Sequence, residues 1–232
     1  MRSRVGHPLA YLLCVTIGAL AVLTAWAPFA DPDQLSALAV VAIGIVGYSG
    51  YRIAVALGVF RHGSSGSRTV TVRRVRQEHQ LLSRSWLELR EGDRIRWLPV
   101  YFAPELISFT GGTALLGERR IVVLRKTNTD LDTGSENGFR TFPSGRARDH
   151  EPPGRLIDNP TRPDPEVSDR ARTATKVTRR LLLDAQSAVA APFAGLLWVY
   201  VVGGGIPAFT DACCVTAAAA IWLAAIRGSD PS

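Results

Sequence analysis

The chain has 232 residues, 47% of them apolar and 20% charged, and its mean hydropathy of +0.10 is high for a soluble protein with that much charge. The net charge of +7 is unevenly distributed, because residues 61–180 hold 23 basic and 15 acidic side chains while the rest of the chain is nearly neutral. These values exclude an evenly mixed soluble domain and predict apolar ends around a polar, basic middle.

Two apolar segments near the N-terminus are each long enough to cross a bilayer. Residues 9–28 contain no charged side chain, and residues 35–60 contain only Arg52. A hydrocarbon core of about 30 Å requires about 20 apolar residues in a helix. Arg52 lies in the last third of its segment, where a long side chain can reach the interface. Residues 1–62 are therefore predicted to form a transmembrane hairpin.

The first apolar segment has a competing interpretation as a cleaved signal peptide. The N-terminus is basic, and residues 25–27 form an A-x-A site. However, Pro28 would directly follow the cut, and the segment is longer than the usual apolar core of about 7–15 residues. Both features favour a membrane span, and cleavage stays open as the alternative.

Residues 63–126 change to the alternating pattern of β-strands. Candidate strands are residues 69–75, 85–90, 94–102, 105–109 and 119–126, separated by turn residues. Pro99 predicts that the third of these strands is a sheet edge or is bulged, because proline cannot donate a ladder hydrogen bond. Short strands at this spacing predict a small all-β domain, a barrel or sandwich of SH3-like or OB-like size.

Alternation within residues 94–102 separates the cations from the aromatic rings. Arg94 and Arg96 fall on one face of the strand, and Ile95 and Trp97 fall on the other. A platform for single-stranded nucleic acid needs both kinds of side chain on one exposed face, so that bases stack while phosphates pair. We therefore expect Trp97 in the core and the arginines facing solvent or lipid headgroups, which disfavours a nucleic-acid partner.

The remaining chain divides into three segments. Residues 127–167 predict a polar disordered linker, because so few apolar side chains cannot offset the entropy lost on ordering. Residues 168–186 predict a basic helix beside the membrane, where each basic side chain near anionic headgroups contributes about 1 kcal/mol. Residues 188–206 and 208–226 predict a second hairpin, in which Asp211 lies at the interface or faces a partner helix.

Basic residues flank only one side of the predicted spans. They are Arg2 and Arg4, Arg61 and Arg68, Arg179 and Arg180, and Arg227, whereas the two short connections contain no Lys or Arg. The positive-inside rule then predicts four spans in the plasma (inner) membrane, with both termini and the whole central domain in the cytoplasm.

The sequence contains no motif for catalysis, a cofactor or a metal. Cys14, Cys213 and Cys214 have no C-x-x-C spacing, and the four histidines lie in different segments. The glycine-rich stretches lack both the G-K-[ST] of a phosphate loop and the G-x-S-x-G of a nucleophile elbow. We therefore predict no catalytic, cofactor-binding or metal-binding residue, and a non-enzymatic role.

The candidate functional residues are charged side chains near the predicted membrane. The candidate contacts with a partner or with lipid headgroups are Arg94, Arg96, Arg119, Arg120, Arg172, Lys176, Arg179 and Arg180, and the candidate intramembrane polar residues are Arg52 and Asp211. We expect a scaffold or regulatory accessory protein that binds anionic lipid, another membrane or envelope protein, or a second copy of the chain. The alternative is a subunit of a small oligomeric transporter or channel, in which Arg52 and Asp211 face an aqueous interior.

The layout also resembles known membrane proteins. Two spans, a cytoplasmic β-domain containing SWLELREGDRIRWLPVYFAPEL, a polar linker and two more spans resemble uncharacterised conserved membrane proteins of actinobacteria. The layout is generally similar to that of NfeD-type proteins, in which a small β-barrel is attached to membrane helices. In those proteins the barrel follows the last helix, whereas here it lies between the two hairpins. The resemblance covers the whole chain, implies a membrane-anchored β-domain and carries over no functional residue.

Overall fold

A computed structural model of the protein describes residues 7–59, 68–79, 82–117, 121–125, 138–159 and 166–232, with the backbone alone at residues 124 and 125. The predicted contacts Arg119 and Arg120 lie outside the described residues, as do residues 127–137 and 160–165 of the expected linker.

The described residues include four helical segments that are long and apolar enough to cross a membrane. Two precede the β-domain and two follow it: Ala10–Phe29, Pro32–Leu57, Val177–Val202 and Gly205–Ile226. The prediction of four apolar helices flanking a β-domain is thereby confirmed. The third segment begins well before the expected residue 188, because the chain from Val177 continues into it without leaving the helical path.

The helices are named in chain order. They are α1 (Ala10–Trp26), α2 (Pro32–Leu57), α3 (Val167–Ala174), α4 (Val177–Ala185), α5 (Ala191–Val202) and α6 (Gly205–Ile226), with short 3-10 turns at Ala27–Phe29 and Gln186–Ala190. The Asp31 side chain caps α2 by accepting from the Gln34 amide at 2.8 Å, and Gly58 ends the helix with φ +77. Local sequence signals therefore set both ends of α2.

The expected single helix over residues 168–186 is two helices. Lys176 has extended backbone angles, which separate α3 from α4. Ala174 at the end of α3 packs against Phe102 and Ile107 of the β-domain, whereas α4 leads into the third apolar segment. The chain bends at this point because the two halves pack on different parts of the protein.

The β-domain is an antiparallel sheet with seven strands among the described residues. They are β1 (Arg68–His79), β2 (Leu82–Glu91), β3 (Arg94–Val100), β4 (Gly111–Leu116), β5 (Ile121–Arg125), β6 (Gly138–Thr141) and β7 (Arg155–Asp158). The spatial order is β3-β2-β1-β4-β5-β6, and β7 pairs with the second half of β1. The long strand β1 is therefore the centre of the sheet.

The predicted strand over residues 105–109 is wrong. Residues Pro104–Leu106 form a 3-10 turn, and the fourth strand is β4 at Gly111–Leu116. Leu106 and Phe109 are buried in the main core, and their carbonyls accept hydrogen bonds from the Asn159 side chain rather than from the backbone of a neighbouring strand. The turn is thus fixed by side chains that are distant in sequence.

The prediction of a disordered linker is also wrong for residues 138–159. This stretch contributes β6 and β7 to the sheet. Phe139 packs against the main core, and Phe142 is buried between the β-domain and the helices. The mean composition of the segment did not reveal the structural role of these two phenylalanines, because polar residues surround each of them in sequence.

Strand β3 lies at one end of the strand order, as Pro99 predicts. Its outer edge is bonded by the chain that leaves β6: Trp97 and Arg148 exchange backbone hydrogen bonds of 2.7 and 2.8 Å. The Ser144 amide donates to the Pro99 carbonyl at 2.8 Å. The two ends of the strand order are thereby brought together, and the proline edge is covered.

The two faces of β3 belong to different clusters. Leu98 and Val100 lie in the main core of the domain. Trp97 is 8% exposed, as expected for a buried ring, but it packs with Val75 and Trp86 in a separate small cluster. Because side chains alternate along a strand, Arg94 lies on the same face of β3 as Leu98 and Val100, but beyond the edge of the main core.

The β-domain packs on one end of the helices. Tyr101 and Phe142 belong to the same buried cluster as residues of α1, α2 and α6. The Tyr101 hydroxyl donates to the carbonyl of Ile226, the last residue of α6, at 2.9 Å. The His7 ring, just before α1, lies 4.9 Å from the Phe142 ring. The start of α1 and the end of α6 therefore share the side on which the β-domain sits.

Candidate functional site

The segment after α6, residues 227–232, turns back onto the β-domain. Gly228 has φ +88, which glycine adopts without strain, and a Cβ there would lie 2.9 Å from the Ser144 hydroxyl. The Asp230 amide donates to the Ser83 carbonyl of β2 at 2.8 Å. A sharp turn directly after the last apolar helix thus connects the helices to the sheet.

A buried ion pair between Arg74 of β1 and Asp230 lies at the centre of this junction. The two side chains are 1% and 0% exposed, and Nη2 of Arg74 lies 2.7 Å from Oδ2 of Asp230. The guanidinium also donates to the Ser85 hydroxyl, the Leu106 carbonyl and the Ser232 hydroxyl. Each of its nitrogens therefore has an acceptor, which is what a buried arginine requires.

The Asp230 carboxylate stays ionised in this environment. Burial by itself would raise its pKa, but the charge of Arg74 and hydrogen bonds from Ser85 and Ser232 outweigh burial and lower the pKa below its ordinary value. The Ser85 hydroxyl donates to Oδ2 at 2.5 Å, and the Ser232 hydroxyl donates to Oδ1 at 2.7 Å. The cluster is therefore a saturated structural connection and not a free acid or base.

A second buried cluster joins α1 to α4. The Tyr11 hydroxyl donates to Oδ2 of Asp184 at 2.5 Å, and the Arg180 guanidinium lies 3.9 Å from the centre of the Tyr11 ring. Arg180 and Asp184 are 8% and 1% exposed, and Arg180 also lies 5.7 Å from the Phe102 ring of the β-domain. Arg180 thus faces the protein interior, which corrects the expectation that it contacts lipid headgroups.

A groove follows α3 and α4 along the β-domain. Its polar end is a cavity of about 390 Å³ whose lining includes Arg76, Arg170 and Arg179. An adjoining cavity of about 380 Å³ is lined by Leu182 among others, and both cavities are lined by Thr173 and Arg179. The groove therefore offers cations at one end and an aliphatic surface at the other.

Two carboxylates at the polar end of the groove are paired with arginines that do not line it. Asp158 lies 3.0 Å from Arg73, and Asp169 lies 3.0 Å from Arg172. These exposed pairs contribute little stability, about 0–1 kcal/mol each. Their pairing offsets part of the acidic charge at this end of the groove, which Arg76, Arg170 and Arg179 also line.

A second group of arginines lies where α2 and α6 end. Burial lowers the pKa of Arg84 in β2, and the positive charges of Arg227, Arg52 and Arg148 lower it further. Within the described ranges, no carboxylate forms an ion pair with any of these four side chains. We call them the arginine cluster, since they hold like charges together without a counter-charge.

The other predicted contacts are dispersed over the surface. Arg94 and Arg96 lie 3.2 and 3.6 Å from Asp149 at the exposed end of β3. Arg172 pairs with Asp169, and Lys176 is exposed before α4. Among the predicted basic residues that the structure describes, Arg179 is the one that lines the groove.

The two predicted intramembrane residues lie far apart. Arg52 donates to the Tyr48 hydroxyl at 3.2 Å on the side of the β-domain. Asp211 lines a cavity of about 250 Å³ together with Gln34 and Trp198. Gln34 and Arg52 lie near opposite ends of α2, about 27 Å apart at 1.5 Å per residue. The structure therefore does not bring Arg52 and Asp211 into one site.

Sequence reasoning named Arg180, as a surface contact, and missed the other residues of both buried clusters. One signal was present: Arg74 follows Val70 and Val72 at intervals of two, so it continues the core face of β1. An arginine in that register must have a buried partner. Nothing comparable marks Asp184, which lies in a helix that is rich in charge.

The arrangement is suited to recognising charge. Among the described residues, no three His, Cys, Asp or Glu side chains lie together as metal ligands. The buried acids Asp184 and Asp230 are both used in structural contacts. The groove and the arginine cluster are both lined by arginines, which suits them to an anionic ligand.

Comparison with known proteins finds no similarity that would assign a function: no family model matches the chain, and no curated protein or solved structure matches it significantly. The function must therefore be argued from the geometry of the junction.

Proposed function

We propose that the chain is a non-enzymatic membrane scaffold whose β-domain is held in a fixed position on the helices and binds a protein partner. The four apolar segments form two hairpins in the inner membrane, with the third crossing from about residue 188, so that α4 lies at its cytoplasmic end and the β-domain lies in the cytoplasm. The arrangement of flanking arginines supports this orientation. The covered sheet ends support a small closed fold of SH3-like or OB-like type.

The observation that carries the proposal is the double attachment of the β-domain. The Arg74–Asp230 pair connects it to the segment after α6, and Arg180, which lies over Phe102, connects it to α4 and α1. Domains within one chain ordinarily move relative to each other unless their interface holds them. Moving the β-domain away from the helices would expose a buried charged side chain or leave it buried without a partner. Either outcome costs free energy, so the β-domain is held to the helices.

The groove along α3 and α4 is the surface best suited to the partner. A peptide segment with an acidic side chain followed by apolar ones would match Arg170 and Arg179 at one end and Leu182 at the other. Charge complementarity would direct the segment into the groove, and the apolar end would bury area.

A photo-crosslinking residue at Thr173, which lines both halves of the groove, tests the partner site in the full-length chain in native membranes. We expect one discrete protein adduct from this position and none from Asp93, in the exposed turn between β2 and β3. Only lipid adducts at Thr173, or the same protein adducts from both positions, would contradict the proposal.

A second role, as a subunit of an oligomeric transporter or channel, is favoured by one observation. Oδ1 of Asp211 is buried and has no hydrogen-bond partner in the part of the chain that the structure describes. A carboxylate in a membrane segment ordinarily faces a partner or an aqueous path. An oligomer could supply either of these.

The transport role predicts that the cavity beside Asp211 is wet in membranes. In a chain whose three native cysteines are replaced by serine, Thr216→Cys should react with a membrane-impermeant thiol reagent. Leu197→Cys, at a side chain that is 64% exposed on the outer face of α5, is the lipid-facing control. Reaction of Thr216→Cys no faster than this control would reject the transport role.

A further inference from the structure

We propose that the arginine cluster, Arg52, Arg84, Arg148 and Arg227, binds a phosphate-bearing anion. The shared chemistry is a phosphate oxyanion, carried by an anionic lipid headgroup or by a soluble phosphate compound. This site goes beyond the scaffold role, because it gives the chain a ligand that needs no protein partner.

The fold brings Arg84 and Arg227 together through the backbone. Arg84 of β2 forms a β-bridge with Ser229, and Ser229 follows Arg227 by two residues. The segment after α6 therefore places its first residue, Arg227, beside β2. This pairing depends on the turn at Gly228 and on the anchoring of Asp230, described above.

Arg148 reaches the same face of β2 from the other side. Its guanidinium lies 5.6 Å from the centre of the Trp86 ring. Its backbone amide donates to the Trp97 carbonyl, and its carbonyl accepts from the Trp97 amide. Arg84 and Trp86 are two residues apart in a strand, so their side chains point to the same face. Arg148 and Arg84 are thus held over one surface of the sheet.

Arg52 approaches from the end of α2. It donates to the Tyr48 hydroxyl. Burial raises the pKa of Tyr101, and the charge of Arg52 acts to lower it. The Tyr101 hydroxyl donates to the carbonyl of Ile226. Ile226 directly precedes Arg227, so Arg52 lies near the end of α6. Nε of Arg52 is buried and has no acceptor among the described residues.

The charge of the cluster explains why an anion would bind. Four like charges repel one another, and partial burial of Arg84 reduces the screening by water. A phosphate accepts several charge-assisted hydrogen bonds, and the planar guanidinium is well matched to it. The cluster lies where apolar helices end, which is the depth of anionic headgroups in a membrane.

The test uses the full-length protein in nanodiscs of phosphatidylcholine, with and without phosphatidylglycerol, and in phosphatidylcholine with added inorganic phosphate. Thermal unfolding and native mass spectrometry report stabilisation and retained lipid. We expect anion-dependent stabilisation of the native sequence, and an anion affinity at least about tenfold weaker in Arg84→Gln and Arg227→Gln. Arg90→Gln is the matched control, since Arg90 is in the same strand but pairs with Glu88.

The unfolding data separate binding from a structural role. Without an anion, Arg84→Gln should unfold no earlier than the native sequence, because it removes a repelled charge. Stabilisation by phosphatidylglycerol alone assigns the ligand to the membrane, and stabilisation by inorganic phosphate assigns a soluble compound; both support the site. No stabilisation by either anion, or equal weakening in Arg84→Gln and Arg90→Gln, would overturn it.

Discussion

Replacing Asp230 with alanine is expected to lower the free energy of unfolding by about 3–5 kcal/mol, because the change leaves Arg74 buried without a counter-charge. The loss also frees the Ser85 and Ser232 hydroxyls that donate to this carboxylate. Denaturant unfolding of the full chain in mild detergent measures the effect. Asp93→Ala, at an exposed turn, is the control and should change stability by less than about 0.5 kcal/mol.

Asp230 also makes part of the free energy of unfolding depend on pH in the acidic range. The pKa of Asp230 is lowered in the folded protein, so its contribution is fully present above the unfolded pKa of about 3.9 and is lost as the pH falls through the lower folded value. The difference in stability between the native chain and Asp230→Asn should therefore shrink only in strong acid. A difference that was already lost near neutral pH would show that the ion pair is not formed.

Replacing Asp184 with alanine is expected to lower the free energy of unfolding by about 1–3 kcal/mol, because the buried cluster loses its carboxylate, whose charge acts on Arg180 without a direct ion pair among the described residues. The Tyr11 hydroxyl would also lose its acceptor. The triple variant Tyr11→Phe, Arg180→Met and Asp184→Leu should recover much of the loss, since replacing all partners of a buried polar cluster by apolar side chains of similar shape is often nearly neutral.

The control for Asp184 is Asp169→Ala on the preceding helix. Asp169 is paired with Arg172, but its side chain is 73% exposed, so its loss should cost about 0–1 kcal/mol. Thermal unfolding of the three variants in the same detergent compares them directly. Equal effects of Asp184→Ala and Asp169→Ala would contradict a buried role for the cluster at α1 and α4.

The four apolar helices could be predicted from the sequence alone because each depends on a local property. A stretch of about 20 residues without charge satisfies its backbone within itself, so no distant contact is needed to identify it. The strands β1, β2 and β3 were also found, from alternation and a short turn. Pro99 placed β3 at an edge for an equally local reason, its missing amide hydrogen.

The strands β6 and β7 could not be found in the same way. Each has four residues, and its pairing depends on β5 or β1 rather than on its own composition. The prediction of a strand at 105–109 was wrong for the opposite reason: the local pattern suggested a strand, and distant contacts formed a turn instead. Its apolar side chains are buried as the pattern implies, but its carbonyls bind Asn159, more than 45 residues later in the chain.

The sequence by itself determined four apolar helices, a β-domain inserted among them and the excess of arginine in the middle. Only the tertiary structure decided which charges are buried, which are paired on the surface and which are left without a partner. Arg74 and Asp230 are 156 residues apart, and Tyr11 and Asp184 are 173 apart. An arginine is stable inside a protein only when a distant carboxylate or ring is brought to it, so its role is a property of the folded chain.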